Sequence, residues 1–165
     1  MGAVMKVFIK AIILIMITCS FVYSQTAPNF TLKDRNNNSI KLSDFKSKVL
    51  ILIFTNTKNK LAIVKAKELK RIFDEEKVSI VIITTNKDLS PIDFNTFVGK
   101  NSLEKSGIYA LKGDNWVLKA YSVKDGQTSI FILKKLGNKF FILKRFNNLD
   151  NIKEIKLVVE SALSR

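Results

Sequence analysis

Residues 49–54 are Val49-Leu50-Ile51-Leu52-Ile53-Phe54, an unbroken apolar run that a polar segment follows directly. Uninterrupted runs rich in Ile, Leu and Val are typical of a central strand that is covered on both faces. Between Lys58 and Glu76, apolar residues recur mostly at steps of three and four, which predicts an amphipathic helix. The predicted buried face of this helix comprises Leu61, Val64, Ala66, Leu69, Ile72 and Phe73.

The sequence on either side of this strand and helix alternates in the same way. Strands are predicted at 29–32, 39–42, 78–84, 108–111, 129–133 and 139–145, and helices at 91–98, 115–121 and 151–163. Predicted helix caps are Ser43, Ser90 and Asp150. Strands separated by helices imply parallel pairing with right-handed crossovers, and the last two strands add an antiparallel hairpin. We therefore predict an α/β fold, a central mixed β-sheet flanked by helices with an N-terminal β-hairpin extension.

The first 24 residues have the order of a secretory signal peptide. Lys6 and Lys10 precede a continuous apolar run at 11–17, and Val22-Tyr23-Ser24 supplies a cleavage site before Gln25. Two alternatives stay open, namely a lipoprotein signal with lipid on Cys19 and an uncleaved anchor. All three place residues 25–165, a single domain, outside the cytoplasm, in the periplasm or elsewhere in a bacterial cell envelope, or secreted beyond it.

The charge of the chain is strongly positive, with 28 Lys and Arg against 14 Asp and Glu. Without Lys6 and Lys10 the exported part keeps 26 basic and 14 acidic residues, a formal charge of +12. This charge favours polyanions, but the lysines are scattered along the chain and are typical of a solvated surface as well. Nucleic acid is not an expected partner, because the basic residues lack the interleaved aromatics of an RNA-binding sheet.

The residue types also exclude several kinds of chemistry. The chain has no histidine, and its one cysteine, Cys19, lies in the leader. An exported domain without either residue cannot perform thiol redox chemistry or Cys–His and Ser–His catalysis, and it cannot ligate a metal through Cys or His. We therefore expect neither a metal nor a cofactor.

Three pieces of sequence carry a resemblance to a known family: Ala27-Pro28-Asn29-Phe30-Thr31-Leu32, Ile40-Lys41-Leu42-Ser43-Asp44-Phe45-Lys46 and the apolar run 49–54. In this order they resemble the opening of redoxin domains, which comprise extracytoplasmic thiol–disulfide oxidoreductases (TlpA/ResA-like) and peroxiredoxins (AhpC/TSA-like). Tyr121-Ser122-Val123 before a strand, a Gly-Asn turn and a second strand is similar to the later half of the family. The resemblance covers about 30–160 and implies a thioredoxin-like fold.

The chain departs from this family at the positions that carry the family's chemistry. The resemblance implies a Trp-Cys-x-x-Cys segment after Phe54, and aligning the two patterns puts the cysteine positions on Asn59 and Ala62. Lys58 then takes the place of the tryptophan, and Lys60 and Leu61 stand between the two positions. Neither an amide nor a methyl group can replace a thiolate and a resolving thiol. The Thr-x-x-Cys loop of peroxiredoxins is absent as well.

A second departure concerns the cis-proline that the family places before a later strand. This position falls on Gln127, within Asp125-Gly126-Gln127-Thr128, and no proline is near. A cis bond before a non-proline residue costs about 2.5–4 kcal/mol, so a trans bond is predicted at Gln127.

Two features could still bind ligands. Lys58 and Lys60 flank Asn59 at a predicted helix N-terminus, so we predict a weak anion or carboxylate site over Thr57–Leu61; the alternative is that both lysines point into water. The single tryptophan, Trp116, is predicted to pack on the core beside Tyr121, with an exposed binding anchor as the alternative.

The function that these observations favour is that of a redox-inactive thioredoxin-like module of the cell envelope. Its groove, near Thr55–Lys60 and Gln127, would hold a peptide or a partner protein without covalent capture. Two alternatives are an oxidoreductase that works only with the thiols of a partner, and an anion or polyanion binder. Membrane contact is expected only through the leader or a lipid on Cys19.

Overall fold

A computed structural model describes residues 25–164, so the predicted leader and Cys19 lie outside the described residues. The strands are β1 (Gln25–Thr26), β2 (Thr31–Lys33), β3 (Ser39–Lys41), β4 (Val49–Thr55), β5 (Val78–Thr84), β6 (Tyr109–Leu111), β7 (Ser129–Leu136) and β8 (Lys139–Phe146). The helices are α1 (Lys60–Ile72), α2 (Pro91–Lys100), α3 (Asn115–Ala120) and α4 (Ile152–Ser164). Short 3-10 turns span Leu42–Asp44 and Glu104–Ser106.

Six strands form one mixed sheet in the order β1-β8-β7-β4-β5-β6, and β2 pairs with β3 in a separate hairpin. β4, β5 and β6 are parallel to one another, as expected for strands that helices connect. β7 runs antiparallel to β4 with Ser129 opposite Phe54, and it forms a hairpin with β8. The mixed sheet, its flanking helices and the N-terminal hairpin confirm the predicted fold class.

The central strand is buried on both faces because successive side chains point to opposite sides of the sheet. Val49, Ile51 and Ile53 pack into one core together with residues of α1, α2 and α4. Leu50, Leu52 and Phe54 pack into a second core beneath the β2–β3 hairpin and α3. The apolar run that predicted a doubly covered strand is thus explained by two separate hydrophobic layers.

The predicted buried face of α1 was partly wrong. Leu61, Val64 and Ile72 are exposed, and the buried residues are Ala62, Ile63, Ala66 and Leu69. The helix turns its two alanines toward the sheet, where small side chains allow a close approach. Trp116 was predicted to pack on the core, but it is 58% exposed. Val117 and Leu118 take the inward positions of α3 instead.

One of the three predicted helix caps is confirmed by the structure. Ser90 caps α2 as predicted, since its Oγ accepts the Asp93 N–H at 3.0 Å. In α4 the cap is Asn151 and not Asp150, because the Asn151 Oδ1 accepts the Glu154 N–H at 3.2 Å. Ser43 lies inside its turn and does not cap it; the Asp44 carboxylate accepts the Lys41 N–H at 2.8 Å.

A buried tyrosine ties the first described residues to the body of the domain. The Tyr121 hydroxyl donates to the Pro28 carbonyl at 2.8 Å, and the Ala27 N–H donates to the Phe140 carbonyl at the same distance. The Tyr121 ring packs against Phe54 and Phe131 at centroid distances of 5.2 and 5.1 Å. Burial raises the pKa of the Tyr121 phenol far above its ordinary value, so the hydroxyl stays a donor at physiological pH.

We expect Tyr121→Phe to destabilise the domain by about 1 kcal/mol, because the Pro28 carbonyl loses its donor. The difference between the two proteins should also depend on pH. Since the pKa of Tyr121 is raised in the folded state, its contribution is complete below pH 10, the ordinary pKa of the phenol, and is lost as the pH rises further. Thermal unfolding followed by circular dichroism from pH 7 to 11 measures this difference. If the stabilities of the natural protein and of Tyr121→Phe change in parallel above pH 10, the prediction is contradicted.

Candidate functional site

The candidate site lies where β4 ends and α1 begins. Thr55 is the last residue of β4 and is fully buried, and Asn59 is the N-cap of α1. Because Ser129 stands opposite Phe54 in the sheet, the preceding residue, Thr128, arrives beside Thr55. Three separate segments of the chain thus meet at one end of the central strand.

The three side chains form a continuous chain of hydrogen bonds. The Asn59 Oδ1 accepts the Ala62 N–H at 3.1 Å, which orients the amide so that its Nδ2 donates to the Thr128 Oγ1 at 3.0 Å. The Thr128 hydroxyl in turn bonds the Thr55 hydroxyl over 3.1 Å. Asn59 therefore joins the start of α1 to the ends of two strands, and we call this arrangement the Asn59–Thr128–Thr55 bridge.

The other family position contributes no polar group. Ala62 is 1% exposed and packs in the core, whereas Lys58, Lys60 and Leu61 are exposed. The one cysteine and the three methionines of the chain are Cys19, Met1, Met5 and Met16. Residues 25–164 therefore contain no sulfur atom, and the site holds an amide, two hydroxyls and a methyl group at the positions where the resemblance implies a dithiol.

The backbone N–H groups ahead of α1 already have internal partners. The Thr57 N–H donates to the Asn86 Oδ1 at 3.0 Å, and the Lys58 N–H donates to the Asn56 Oδ1 at 2.8 Å. The Asn59 N–H donates to the Asn56 carbonyl, also at 3.0 Å. An anion over Thr57–Leu61 would have to compete with these acceptors, and its binding there stays a prediction.

Gln127 does not join the bridge. Its N–H donates to the Lys124 carbonyl at 3.1 Å, and its Oε1 accepts the Lys124 N–H at 3.4 Å, so the side chain turns back on its own loop. The peptide bond at Gln127 is trans, like every other one between residues 25 and 164. Gln127 was predicted to lie in the groove, whereas Thr128, which bonds both Asn59 and Thr55, was not predicted. The pairing of β7 beside β4 would have identified Thr128, but this pairing leaves no local signal in the sequence.

Asn59→Ala should lower the free energy of unfolding by about 1–2 kcal/mol, because α1 loses its cap and the Thr128 hydroxyl loses a donor. Asn59→Asp is the matched control, since it keeps the capping acceptor and removes only the Nδ2 donor. We expect a smaller loss for the aspartate variant, which also gains a favourable charge at the helix N-terminus. Urea unfolding compares the two variants, and equal losses would contradict the role of the cap.

Residues 25–164 carry neither a metal-binding cluster nor a membrane-spanning helix. No group of three or more His, Cys, Asp or Glu residues is placed there to hold a metal ion. Within the same part of the chain, no helix is both long enough and apolar enough to cross a membrane.

A mixed sheet flanked by helices, with a central strand that leads into a helix N-terminus, defines a thioredoxin-like domain. The chain belongs to the AhpC/TSA family, because the model of this family matches residues 23–138. No curated protein matches the chain significantly.

Solved structures share this fold at low sequence identity. A putative thiol:disulfide interchange protein DsbE from Chlorobium tepidum is 17% identical, with 85% of this chain and 96% of that chain covered and a TM-score of 0.65. BsSco, of the Sco family of cytochrome c oxidase assembly proteins, is 18% identical, with 86% and 95% covered and a TM-score of 0.63. A putative electron transport protein from Aquifex aeolicus VF5 is 16% identical, with 86% and 99% covered and a TM-score of 0.67. At these identities the structures show a common fold and nothing about activity.

Proposed function

We propose that this chain is an exported, redox-inactive member of its family that serves as a protein- or peptide-binding or structural module of the cell envelope. The observation that carries the proposal is the identity of the two family positions, Asn59 and Ala62. The order of charge, apolar run and small residues in the leader supports export. The resemblance supports a periplasmic or other extracytoplasmic location.

The chemistry of the site supports the lack of redox activity. Thiol–disulfide exchange needs a thiolate that attacks a disulfide sulfur and a second thiol that resolves the mixed disulfide. The Asn59 amide is not a nucleophile of this kind, and its atoms are already bonded to Ala62 and Thr128. An oxidoreductase built on this domain would need both thiols from a partner.

The surface beside the bridge supports a binding role. Leu61 and Val64 stand on the first two turns of α1 and are 56% and 59% exposed. Lys58 and Lys60 are exposed next to them. Exposed aliphatic side chains bordered by charges are typical of the centre and rim of a protein contact. We therefore place the partner, a peptide or a protein, on the surface formed by Lys58, Lys60, Leu61 and Val64.

An insulin-reduction assay tests the redox part of the proposal. With dithiothreitol as the reductant, insulin should be reduced no faster in the presence of the purified exported protein than by dithiothreitol alone, while an active thioredoxin serves as the positive control. Turnover above background by the protein alone would refute the proposal. Turnover only after addition of a dithiol partner would favour the partner-dependent oxidoreductase instead.

Site-specific photo-crosslinking in the native envelope tests the binding part. A photoreactive amino acid replaces Leu61 in one variant and Leu157 in the control; Leu157 is 65% exposed and lies on a different helix, α4. We expect a discrete adduct at position 61 and none of the same mass at position 157. The absence of an adduct at position 61, or the same adducts at both positions, would refute binding at this surface.

A further inference from the structure

An exposed aromatic side chain lines a cavity that the proposed function does not use. Trp116, the only tryptophan of the chain, stands in the first turn of α3 and is 58% exposed. It borders an open cavity of about 390 Å³ between α3 and the β2–β3 hairpin. The other lining residues are Asn29, Phe30, Thr31, Lys41, Leu42 and Ser43. We call this space the Trp116 cavity.

The pairing of the β2–β3 hairpin fixes the backbone along the Trp116 cavity. Thr31 and Lys41 stand opposite each other in β2 and β3, and both are exposed. Phe30 and Leu42 flank this pair; both are buried, and the Leu42 N–H donates to the Phe30 carbonyl at 3.1 Å. A ligand in the cavity would therefore meet a preformed surface with an apolar base.

The polar side chains around the cavity have no partners within the described part of the chain. The Asn29 amide and the hydroxyls of Thr31 and Ser43 make no hydrogen bond to any of residues 25–164. The Trp116 indole N–H donates to none of these residues either, and the Lys41 ammonium forms no ion pair with them. All five side chains are exposed, so a ligand can reach them and replace the solvent around them.

The carboxylates that lie close by in the sequence are bonded to the backbone. Asp44 accepts the Lys41 N–H at 2.8 Å, and Asp114, the N-cap of α3, accepts the Val117 N–H at 2.7 Å. Neither carboxylate lines the Trp116 cavity, and the one charged side chain of its lining belongs to Lys41. The cavity therefore presents a single positive charge together with neutral hydrogen-bonding groups.

We propose that the Trp116 cavity binds an acidic saccharide, that is, a chain of sugar rings that carry carboxylates. A sugar ring has an apolar C–H face that stacks on a flat indole, and its hydroxyls both donate and accept, which suits the Asn29 amide and the two hydroxyls. A sugar carboxylate would pair with Lys41. Pockets for apolar ligands are lined mainly by hydrophobic side chains, whereas five of the seven lining residues here carry a polar group. This lining favours a saccharide over a peptide with apolar anchors.

The single tryptophan is a built-in reporter of this cavity. Because the chain contains no other tryptophan, the tryptophan fluorescence of the purified exported protein reports on Trp116 alone. We expect trigalacturonic acid to shift the emission to shorter wavelength and to reduce quenching by acrylamide, since a stacked sugar ring excludes solvent from the indole. Both changes should saturate. The absence of a saturable change would overturn the proposal.

Two matched ligands, titrated at constant ionic strength, test which part of the saccharide is recognised. The trimethyl ester of trigalacturonic acid keeps the sugar rings and removes the charge, and N-acetyl-triglutamate amide keeps the carboxylates without a sugar. We expect the ester to bind about three- to fivefold more weakly than the acid, because it loses the pair with Lys41, and the peptide to give no saturable change. Equal binding of the acid and the ester would overturn the proposal. Tighter binding of the peptide would overturn it as well, and would assign an acidic protein segment instead.

Two lysine variants of equal charge test whether the cavity itself is the site. Lys41→Gln should weaken the binding of trigalacturonic acid about three- to fivefold and leave the binding of the ester unchanged. Lys153→Gln is the control, since Lys153 is exposed on α4 and does not line the cavity. We expect this control to change binding by less than about twofold. Equal weakening in the two variants would show only a general attraction to a basic protein and would overturn the proposal.

Replacing the tryptophan tests the stacking surface. Trp116→Ala removes an exposed side chain, so the domain should fold, and ¹⁵N NMR at Thr31 and Ser43 replaces fluorescence as the readout. We expect trigalacturonic acid to bind this variant about tenfold more weakly, which corresponds to the loss of roughly 55 Å² of buried apolar contact. Trp116→Phe keeps a flat ring and should retain part of the affinity. Unchanged binding by Trp116→Ala would overturn the proposal.

Discussion

Replacing Asn59 and Ala62 by cysteine together should give this domain thiol–disulfide exchange activity. Position 59 caps α1, so a thiol there meets the positive end of the helix dipole, and Lys58 and Lys60 stand on either side. Helix N-termini and nearby cations lower the pKa of a thiol from about 8.5 toward about 7 or below. We therefore expect the new thiol at position 59 to be substantially ionised at neutral pH.

The second new thiol would lie one turn further along the helix. Ala62 is 1% exposed, which suits a resolving thiol that attacks only after the mixed disulfide has formed. The measurement is the initial rate of insulin reduction, together with thiol titration by alkylation as a function of pH.

Serine at both positions is the matched control, since it keeps the volume and removes the sulfur. The double-cysteine protein must first be shown to fold and to form its disulfide. If it then reduces insulin no faster than the serine control, the result contradicts the view that the scaffold kept the family geometry. A pKa of about 8.5 or higher for the thiol at position 59 would contradict only the prediction that the helix dipole and the two lysines lower this pKa.

Gly113→Ala should be the most destabilising single substitution at a glycine. A Cβ at this position would lie 2.1 Å from the Thr84 carbonyl oxygen and 3.1 Å from the Ile83 Cγ2. The carbonyl belongs to the last residue of β5 and cannot move without disturbing the sheet. The Gly113 N–H also donates to the Thr84 Oγ1 at 3.2 Å, a bond that any shift would break. Overpacking of this kind costs about 3 kcal/mol, which corresponds to a fall in Tm of roughly 10 °C.

Gly99→Ala provides a control of opposite sign. Gly99 lies in α2 with no atom within 4 Å of an added Cβ, and its backbone is helical. Alanine in a helix is favoured over glycine, so stability should rise by about 0.5 kcal/mol. Differential scanning calorimetry of both variants measures the contrast. A Tm of Gly113→Ala within 2 °C of the natural protein would show that β5 and the loop after β6 can separate at little cost.

The sheet could be predicted well because its strongest signals are local. β5 has the predicted bounds, Val78–Thr84, and β4 extends one residue beyond the predicted 49–54. Uninterrupted apolar runs are compatible with few structures other than a central strand. The two-residue strand β1 was missed, since a pairing of Gln25 and Thr26 with β8 leaves no pattern that a sequence can display.

The inward face of α1 was harder to predict than the strands, for a physical reason. Leu61 and Val64 are more hydrophobic than Ala62 and Ala66, so they dominate any apolar periodicity. The inward face is set by packing against the sheet, where Ala62 and Ala66 are buried beside Ile63 and Leu69.

The candidate site was predicted only in part because it joins distant segments. The resemblance to the family predicts that positions 59 and 62 take the place of its two cysteines. It does not reveal that an asparagine at position 59 would cap the helix and bond Thr128, which is 69 residues away. Side-chain bonds across an antiparallel pairing depend on register, and register is fixed only when the whole sheet has formed.

The part of β8 that follows its pairing with β1 has a bearing on solubility at high concentration. β1 pairs with Phe141 and Ile142 alone, so within residues 25–164 the last part of β8 has a neighbouring strand on one side only. Lys144 and Arg145 occupy that stretch, where Lys144 pairs with Glu154 and Arg145 donates to the Ser122 carbonyl. An incoming chain that tried to lengthen the sheet there would have to bring its backbone up against two fixed cations. Such an edge discourages the strand-to-strand stacking that begins amyloid growth.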